Sequence, residues 1–177
     1  MKVTETGQDW KIAALRSSFH VHFLFGGKMN KDFLDLAFFY AEKAFINDEV
    51  PIGAVIVKNN EIISFGFNNK EKMGSVLGHA EINAIHDAEK KLKNWRLDGC
   101  DIYVTLDPCP MCASAIKQAR ISNVYSALNN SDFNNEKILN LIFNKDTCNS
   151  SVNFVSNLDS ERSKKLLNSF FKKQRIL

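Results

Sequence analysis

The chain has 177 residues, of which 45% are hydrophobic, and it carries a formal net charge of +3. This length suits one compact domain with its own core and is short for two. The modest charge permits nucleic-acid binding without requiring it, because dedicated binders are usually more basic and more locally clustered. No stretch approaches the ~20 consecutive apolar residues of a membrane-spanning helix.

The first regular pattern along the chain is an amphipathic helix. Apolar residues recur at helical spacing over Lys31–Ile46, and Asn30 is suited to cap this helix. Two runs rich in β-branched residues follow, at 52–58 and 61–67. They are separated by Asn59 and Asn60, which tolerate positive φ and suit a two-residue turn. We therefore expect an antiparallel hairpin.

The middle of the chain alternates between helical and strand patterns. A second helical pattern covers 78–92, and a strand at 101–106, a helix at 110–120 and a strand at 121–127 come next. A strand, helix, strand order gives a right-handed parallel crossover with the helix against one face of the sheet. The expected fold is an α/β/α sandwich of three layers around a mixed central sheet.

The last third of the chain is less regular. Residues 129–151 are mostly polar, with a short covering helix expected around 138–143. An edge strand at 152–155 and a final helix at 159–175 complete the predicted elements.

Three residues in the middle of the chain have the types and spacing of a zinc site. They are His79 in the sequence His-Ala-Glu, and Cys109 and Cys112 in the sequence Pro-Cys-Pro-Met-Cys. Zinc prefers tetrahedral nitrogen and sulfur ligands, and a catalytic zinc keeps its fourth position for water. Glu81 then supplies a carboxylate for proton transfer.

The spacing of His79 and Glu81 makes a geometric demand. Residues two apart on a regular helix lie about 200° apart around its axis and cannot share a site. His79 must therefore lie at the very start of its helix if Glu81 is to face the same site.

A structural zinc knuckle or a redox pair is the alternative interpretation. A structural site closes with a fourth protein ligand, and the candidates are His86, Cys100, Cys148 and Glu81 itself. Because Cys109 and Cys112 have metal-ligand spacing, a disulfide framework is disfavoured, and Cys100 and Cys148 are expected to be ordinary thiols. Cysteines used in this way are typical of the reducing cytoplasm.

The two motifs together match the H-x-E and P-C-x-x-C signature of zinc-dependent nucleobase deaminases. Further similar stretches lie at 48–55, 78–82, 104–109 and 166–173. On these residues the chain resembles the TadA-type tRNA adenosine deaminases of the cytidine deaminase-like superfamily, over residues 29–177. Residues 1–28 have no counterpart in that family. We expect them to be a poorly ordered extension, or to precede a natural start at Met29.

The resemblance implies hydrolysis of adenosine to inosine in a tRNA anticodon loop, at the wobble position, by a cytoplasmic homodimer with one zinc ion per subunit. His79, Cys109 and Cys112 would hold the metal, with Glu81 as the acid and base. Two alternatives stay open: a deaminase of a free base or nucleoside, of guanine or cytosine type, and a zinc-stabilised RNA-binding protein without catalysis.

The resemblance also implies three substrate contacts. Asn68 takes the place of an Asn that bonds the target base or its sugar, although a turn residue is the simpler interpretation. Asn130 takes the place of an Asp that touches the RNA backbone, so the negative charge is lost there. Phe171 lies in a final helix that interleaves basic and aromatic residues and borders the RNA groove, where aromatic rings can stack on unpaired bases.

Overall fold

The computed structural model describes residues 30–130, 135–144 and 151–175. Within these ranges the elements are helix α1 (Lys31–Ile46), strands β1 (Gly53–Lys58) and β2 (Glu61–Phe67), helices α2 (Lys70–Met73) and α3 (Ala80–Leu92), strand β3 (Cys100–Val104), helix α4 (Pro110–Gln118), strand β4 (Asn123–Ser126), helix α5 (Asn135–Phe143), strand β5 (Asn153–Val155) and helix α6 (Ser160–Gln174).

The strands of the described residues form one mixed sheet in the order β2-β1-β3-β4-β5. Strand β1 is antiparallel to both β2 and β3, whereas β3, β4 and β5 run parallel. Asn59 and Asn60 have φ of 53° and 63°, so the predicted hairpin turn is confirmed. The parallel pairing of β3 with β4 across α4 confirms the predicted crossover.

Helices cover both faces of this sheet. On one face, α1 packs against Val55, Val57 and Tyr103 of the sheet, and α6 joins α1 through an ion pair between Arg162 and Asp35. On the other face, α3, α4 and α5 pack against the opposite side chains of the same strands. The three-layer α/β/α sandwich is therefore confirmed. Among the described residues, the helices lack the length and apolar character needed to cross a membrane.

Helix α2 was not predicted from the sequence. Its position is explained by its contact with Glu49. The buried carboxylate of Glu49 accepts hydrogen bonds from the backbone N–H groups of Glu71, at 3.2 Å, and Lys72, at 2.8 Å. Such a bond satisfies donors of the first helical turn that have no partner within the helix. A tertiary contact thus fixes an element too short to show a periodic pattern.

Some predictions fall on parts of the chain outside the described residues. They are the extension at residues 1–28, the natural start at Met29 and the role of Cys148.

Candidate active site

His79 is placed at the start of α3 by its backbone conformation. With φ of −91° and ψ of 146° it is extended and forms the N-cap, so the helix begins at Ala80. The geometric demand of the His-Ala-Glu spacing is therefore met, and the helix starts two residues later than the pattern predicted. Glu81 lies in the first turn, buried to 4% exposure.

The two cysteines occupy the same kind of position at the start of α4. Cys109 is the N-cap, Pro110 follows in the first turn, and Cys112 lies one turn along. Proline fits there because its missing N–H would have had no partner. The positive end of the helix dipole favours thiolates at such a position.

The ligand atoms of these three residues converge. The Nδ1 atom of His79 lies 3.7 Å from Sγ of Cys109 and 3.4 Å from Sγ of Cys112. In an ideal tetrahedral site with ordinary zinc bond lengths, nitrogen and sulfur ligands are about 3.6 Å apart. The donor set and its spacing therefore fit a zinc ion.

A closing fourth ligand is not found among the described residues. The group able to hold a metal there consists of His79, Cys109 and Cys112. His86 is exposed on α3 and Cys100 is buried in the core. Of the four candidates for a structural site, only Cys148 lies outside the described residues. Within the described part of the chain, three side chains are thus grouped as candidate metal ligands.

Burial controls the proton affinity of Glu81. Loss of water around its carboxyl group raises its pKa to about 7 from an ordinary value of 4.5, and the nearby charge of Cys109 adds to the increase. A carboxyl group that titrates near neutral pH can both accept and donate a proton there.

The two thiols behave as a coupled pair. The hydrogen bond with Cys112 lowers the pKa of Cys109 to about 5, and the same bond raises the pKa of Cys112. One thiolate is thus available at neutral pH without a metal. Metal binding requires the second proton to leave as well.

Asn68 has a definite structural task. Its Oδ1 atom accepts a hydrogen bond of 2.9 Å from the backbone N–H of Ala80, and the side chain is buried. Asn68 therefore holds the first turn of α3, and with it His79 and Glu81. This fits the simpler interpretation as a local structural residue. Its role toward a base stays a prediction.

The backbone of Asn130 contacts a carboxylate, that of Asp107, which the sequence analysis did not identify as a site residue. Its backbone N–H points to Oδ2 of Asp107 at 3.4 Å, and the hydroxyl of Ser156 donates to Oδ1 of Asp107 at 2.6 Å. Burial raises the pKa of Asp107. The sequence feature that could have drawn attention to Asp107 is its position two residues before Cys109, a candidate metal ligand.

Helix α6 presents only part of the basic and aromatic surface that the sequence predicts for it. The ring of Phe171 is 45% exposed and meets the buried Phe170 edge to face, at 5.4 Å between centroids. Lys173, however, forms an ion pair with Asp48, and Arg162 pairs with Asp35. Fewer cations are therefore free for phosphate than the sequence suggested, and the RNA contact of Phe171 stays a prediction.

Comparisons with known proteins agree with this geometry. The family model of the MafB19-like deaminases matches residues 29–175. A tRNA-specific adenosine deaminase of Aquifex aeolicus is 40% identical over 144 residues, which cover 81% of this chain and 94% of the relative.

Solved structures give the same result. The structure from a study of A-to-I editing by tRNA:A34 deaminases at the wobble position has 36% identity and a TM-score of 0.73, covering 78% of this chain and all of the other. A guanine deaminase of Bacillus subtilis has 38% identity and a TM-score of 0.55, covering 59% of this chain and 68% of the other. The chain thus belongs to the MafB19-like deaminase family, in the group of the tRNA-specific adenosine deaminases.

Proposed function

We propose that this enzyme hydrolyses adenosine to inosine at the wobble position of a tRNA anticodon loop. The observation that carries the proposal is the convergence of His79, Cys109 and Cys112 beside the buried Glu81. The similarity to tRNA-specific adenosine deaminases over most of the chain supports the substrate. A loop base is unpaired already, so extruding it costs less than in a duplex.

His79, Cys109 and Cys112 would hold one zinc ion per subunit. The ion would supply a Lewis acid that activates water near neutral pH. Glu81 takes one proton from the attacking water and delivers it to N1 of adenine. It then takes the second proton, from the new hydroxyl group on C6, and delivers it to the departing amine. A buried carboxyl group beside the substrate can perform both transfers in turn.

Other residues would position the substrate. The side-chain oxygen of Asn68 already accepts a hydrogen bond from the backbone N–H of Ala80. Its Nδ2 group would therefore be the part that donates to the target base or its ribose. Asn130 meets the backbone of the RNA beside that base, and Phe171 offers a half-exposed ring for stacking. We also propose that the enzyme is a cytoplasmic homodimer.

A free-base deaminase is the second candidate, favoured by the similarity to a guanine deaminase. Zinc-loaded protein is incubated in parallel with an anticodon hairpin that carries adenosine at the wobble position, with free adenosine and with free guanine. Ammonia and inosine are measured. We expect inosine from the hairpin alone. Ammonia from guanine with an unchanged hairpin would establish the second candidate, and no ammonia from zinc-loaded protein would overturn both.

A further inference from the structure

A tryptophan side chain outside the candidate active site is exposed beyond the C-terminal end of α3. Trp95 is 57% exposed and lies in the loop that follows this helix. Helix α3 begins beside His79 and has 13 residues, which span about 20 Å at a rise of 1.5 Å per residue. Trp95 is therefore a separate feature of the surface and not a wall of the candidate active site.

Two arginine side chains flank this ring. The guanidinium carbons of Arg96 and Arg120 each lie 5.9 Å from the centre of the Trp95 ring. Arg162 packs on the ring of Phe38 at 4.1 Å, so neither guanidinium group covers Trp95 as closely. Trp95, Arg96 and Arg120, here called the Trp95 surface, thus combine a largely open aromatic ring with two cations.

The loop that carries Trp95 is held by hydrogen bonds and by a buried side chain. The backbone N–H of Arg96 donates to Oδ1 of Asn94 at 3.0 Å, and the N–H of Leu97 donates to the carbonyl oxygen of Ala119 at 2.7 Å. The side chain of Leu97 is buried in the core. Trp95 is thus presented by a preorganised loop, and a partner that binds it costs little conformational entropy.

The charge of this part of the chain favours a polyanion as the partner. Residues 90–97 contain three lysines and one arginine and no acidic residue. Arg96 is paired with Asp98 at 3.0 Å, but both side chains are about half exposed, and such surface pairs contribute little stability. A phosphate group can therefore replace Asp98. Among the described residues, no carboxylate forms an ion pair with Arg120.

Arg120 occupies a backbone position that suits glycine better than arginine. It follows the end of α4 with φ of 62°, in the left-handed region where a residue without a Cβ atom has the lowest cost. The backbone therefore gives no reason for an arginine here, whereas the cation–π contact with Trp95 uses its side chain. Arg120→Gly consequently removes the cation without straining the backbone.

The distance from the candidate active site indicates which part of an RNA reaches the Trp95 surface. The length of α3, about 20 Å, corresponds to about six nucleotides of a helical strand at ~3.4 Å each. A strand that starts at the wobble nucleotide enters the paired anticodon stem within that length, so the next unpaired bases lie beyond the anticodon hairpin. An aromatic ring with cations at its edge binds such a base by stacking and the adjoining phosphates by charge.

We propose that the Trp95 surface binds an unpaired nucleotide of the tRNA beyond the anticodon hairpin. The identity of this RNA rests on the proposed function, which places the same tRNA at the candidate active site. The base stacks on Trp95, and Arg96 and Arg120 meet the adjoining phosphates. Tryptophan and arginine are also frequent in protein–protein interfaces, so the experiment must separate an RNA from a protein partner.

The test compares two substrates, the full-length tRNA and its anticodon hairpin. The proteins are wild type, Trp95→Ala, Trp95→Phe, Arg120→Gly and Lys137→Met. The last is a matched control for Arg120→Gly, because it also removes one positive charge, from an exposed position of α5. KM and kcat are measured separately for each zinc-loaded protein, and thermal unfolding checks each fold.

With full-length tRNA we expect Trp95→Ala to raise KM about fivefold or more, the effect of losing one stacked base, with kcat unchanged. Trp95→Phe keeps an aromatic face and should retain most of the affinity. Arg120→Gly should raise KM and reduce the slope of log KM against log salt concentration by about 1, the effect of losing one phosphate contact. On the hairpin every variant should match wild type, and Lys137→Met should match it on both substrates.

Three results would overturn this proposal. An unchanged KM for full-length tRNA in Trp95→Ala would leave the Trp95 surface to a protein partner. An equal rise of KM on both substrates would show an indirect effect on the candidate active site. An equal rise in Lys137→Met would show that net charge alone is responsible.

A binding measurement without catalysis separates this inference from the proposed function. In Trp10→Phe, Trp95 is the one tryptophan left in the chain, and its fluorescence is followed while tRNA or hairpin is added, with free tryptophan as the correction for light absorbed by the RNA. We expect quenching by tRNA and none by the hairpin. No quenching by tRNA would overturn the proposal even if inosine forms. No inosine from either substrate would overturn the proposed function, and the quenching then decides on the Trp95 surface by itself.

Discussion

Gly66 in β2 lies directly against Ala80 at the start of α3. A Cβ atom at position 66 would come within 2.1 Å of the Ala80 carbonyl oxygen and 2.7 Å of the Ala84 backbone nitrogen. Backbone atoms cannot yield as a flexible side chain would. The absence of a side chain at Gly66 therefore sets how closely the helix that follows His79 approaches the sheet.

Replacing Gly66 by alanine should move the start of α3 away from the sheet. We expect the free energy of unfolding to fall by about 1–3 kcal/mol, as for other overpacked sites, and the affinity for zinc to fall as His79 shifts from Cys109 and Cys112. Denaturant unfolding and zinc titration with a chromogenic chelator measure the two effects.

Gly53→Ala is the control for this substitution. A Cβ atom there would meet the Ala37 carbonyl oxygen of α1 at 2.1 Å, on the other face of the sheet. It should destabilise the fold without weakening zinc binding directly. Equal zinc affinities in the two variants would contradict the positioning role of Gly66.

Glu81→Gln should separate catalysis from metal binding. The amide keeps the shape of the side chain but cannot carry a proton, so we expect deamination to fall by about 10²–10⁴-fold. His79, Cys109 and Cys112 are unchanged, and zinc content should stay at that of wild type. Inosine formation from the anticodon hairpin and metal analysis of the same sample give both values. Loss of zinc together with activity would make Glu81 part of the metal site instead.

The candidate metal ligands could be recognised in the sequence because each of the two motifs that carry them is short. Two helix starts bring His79, Cys109 and Cys112 together, and short-range spacing with Pro110 marks those starts. Helix α2 was missed because its position depends on Glu49, more than 20 residues away. A helix of four residues has no periodicity to detect.

Ion pairs and hydrogen bonds between residues far apart in the sequence also explain why the prediction for the basic surface of α6 was less complete. The basic residues of α6 are evident in the sequence, but their pairing with α1 and with the loop after α1 is not. Lys173 reaches Asp48 across 125 positions of the chain. The hydrogen bond from Ser156 to the buried Asp107 likewise joins residues 49 positions apart. Such pairings follow from the packing of layers, which composition and periodicity do not specify.

The raised pKa of Glu81 predicts a pH dependence of stability in the metal-free protein. Between pH 4.5, the ordinary value, and pH 7, the folded value, the unfolded chain has lost this proton while the folded chain keeps it. Rising pH therefore favours unfolding, by about 1.4 kcal/mol per pH unit at most and about 3 kcal/mol in total. The stabilisation is complete below pH 4.5 and is lost as the pH rises through 7.

Glu81→Gln is the reference for this measurement, because Cys109 titrates in the opposite sense. The lowered pKa of Cys109 adds stability as the pH rises above 5 in both proteins. Relative to Glu81→Gln, wild type should therefore lose free energy of unfolding as the pH rises from 4.5 to 7. A difference independent of pH, in chelator-treated and reduced samples, would refute the raised pKa.

Lys117 should stabilise the covering helix α5 from beneath. This lysine of α4 is 3% exposed, and its ammonium group donates to the backbone carbonyl oxygens of Ile142 and Asn144, at the end of α5. A cation there meets the negative end of the helix dipole. Lys117→Met removes both hydrogen bonds of the buried ammonium group, so we expect a loss of about 1–3 kcal/mol in the free energy of unfolding. Lys137→Met, at an exposed position of α5, should change it by less than about 0.5 kcal/mol. Urea unfolding of the zinc-loaded proteins distinguishes the two, and an equally small effect in both would show that the buried ammonium contributes no net stability.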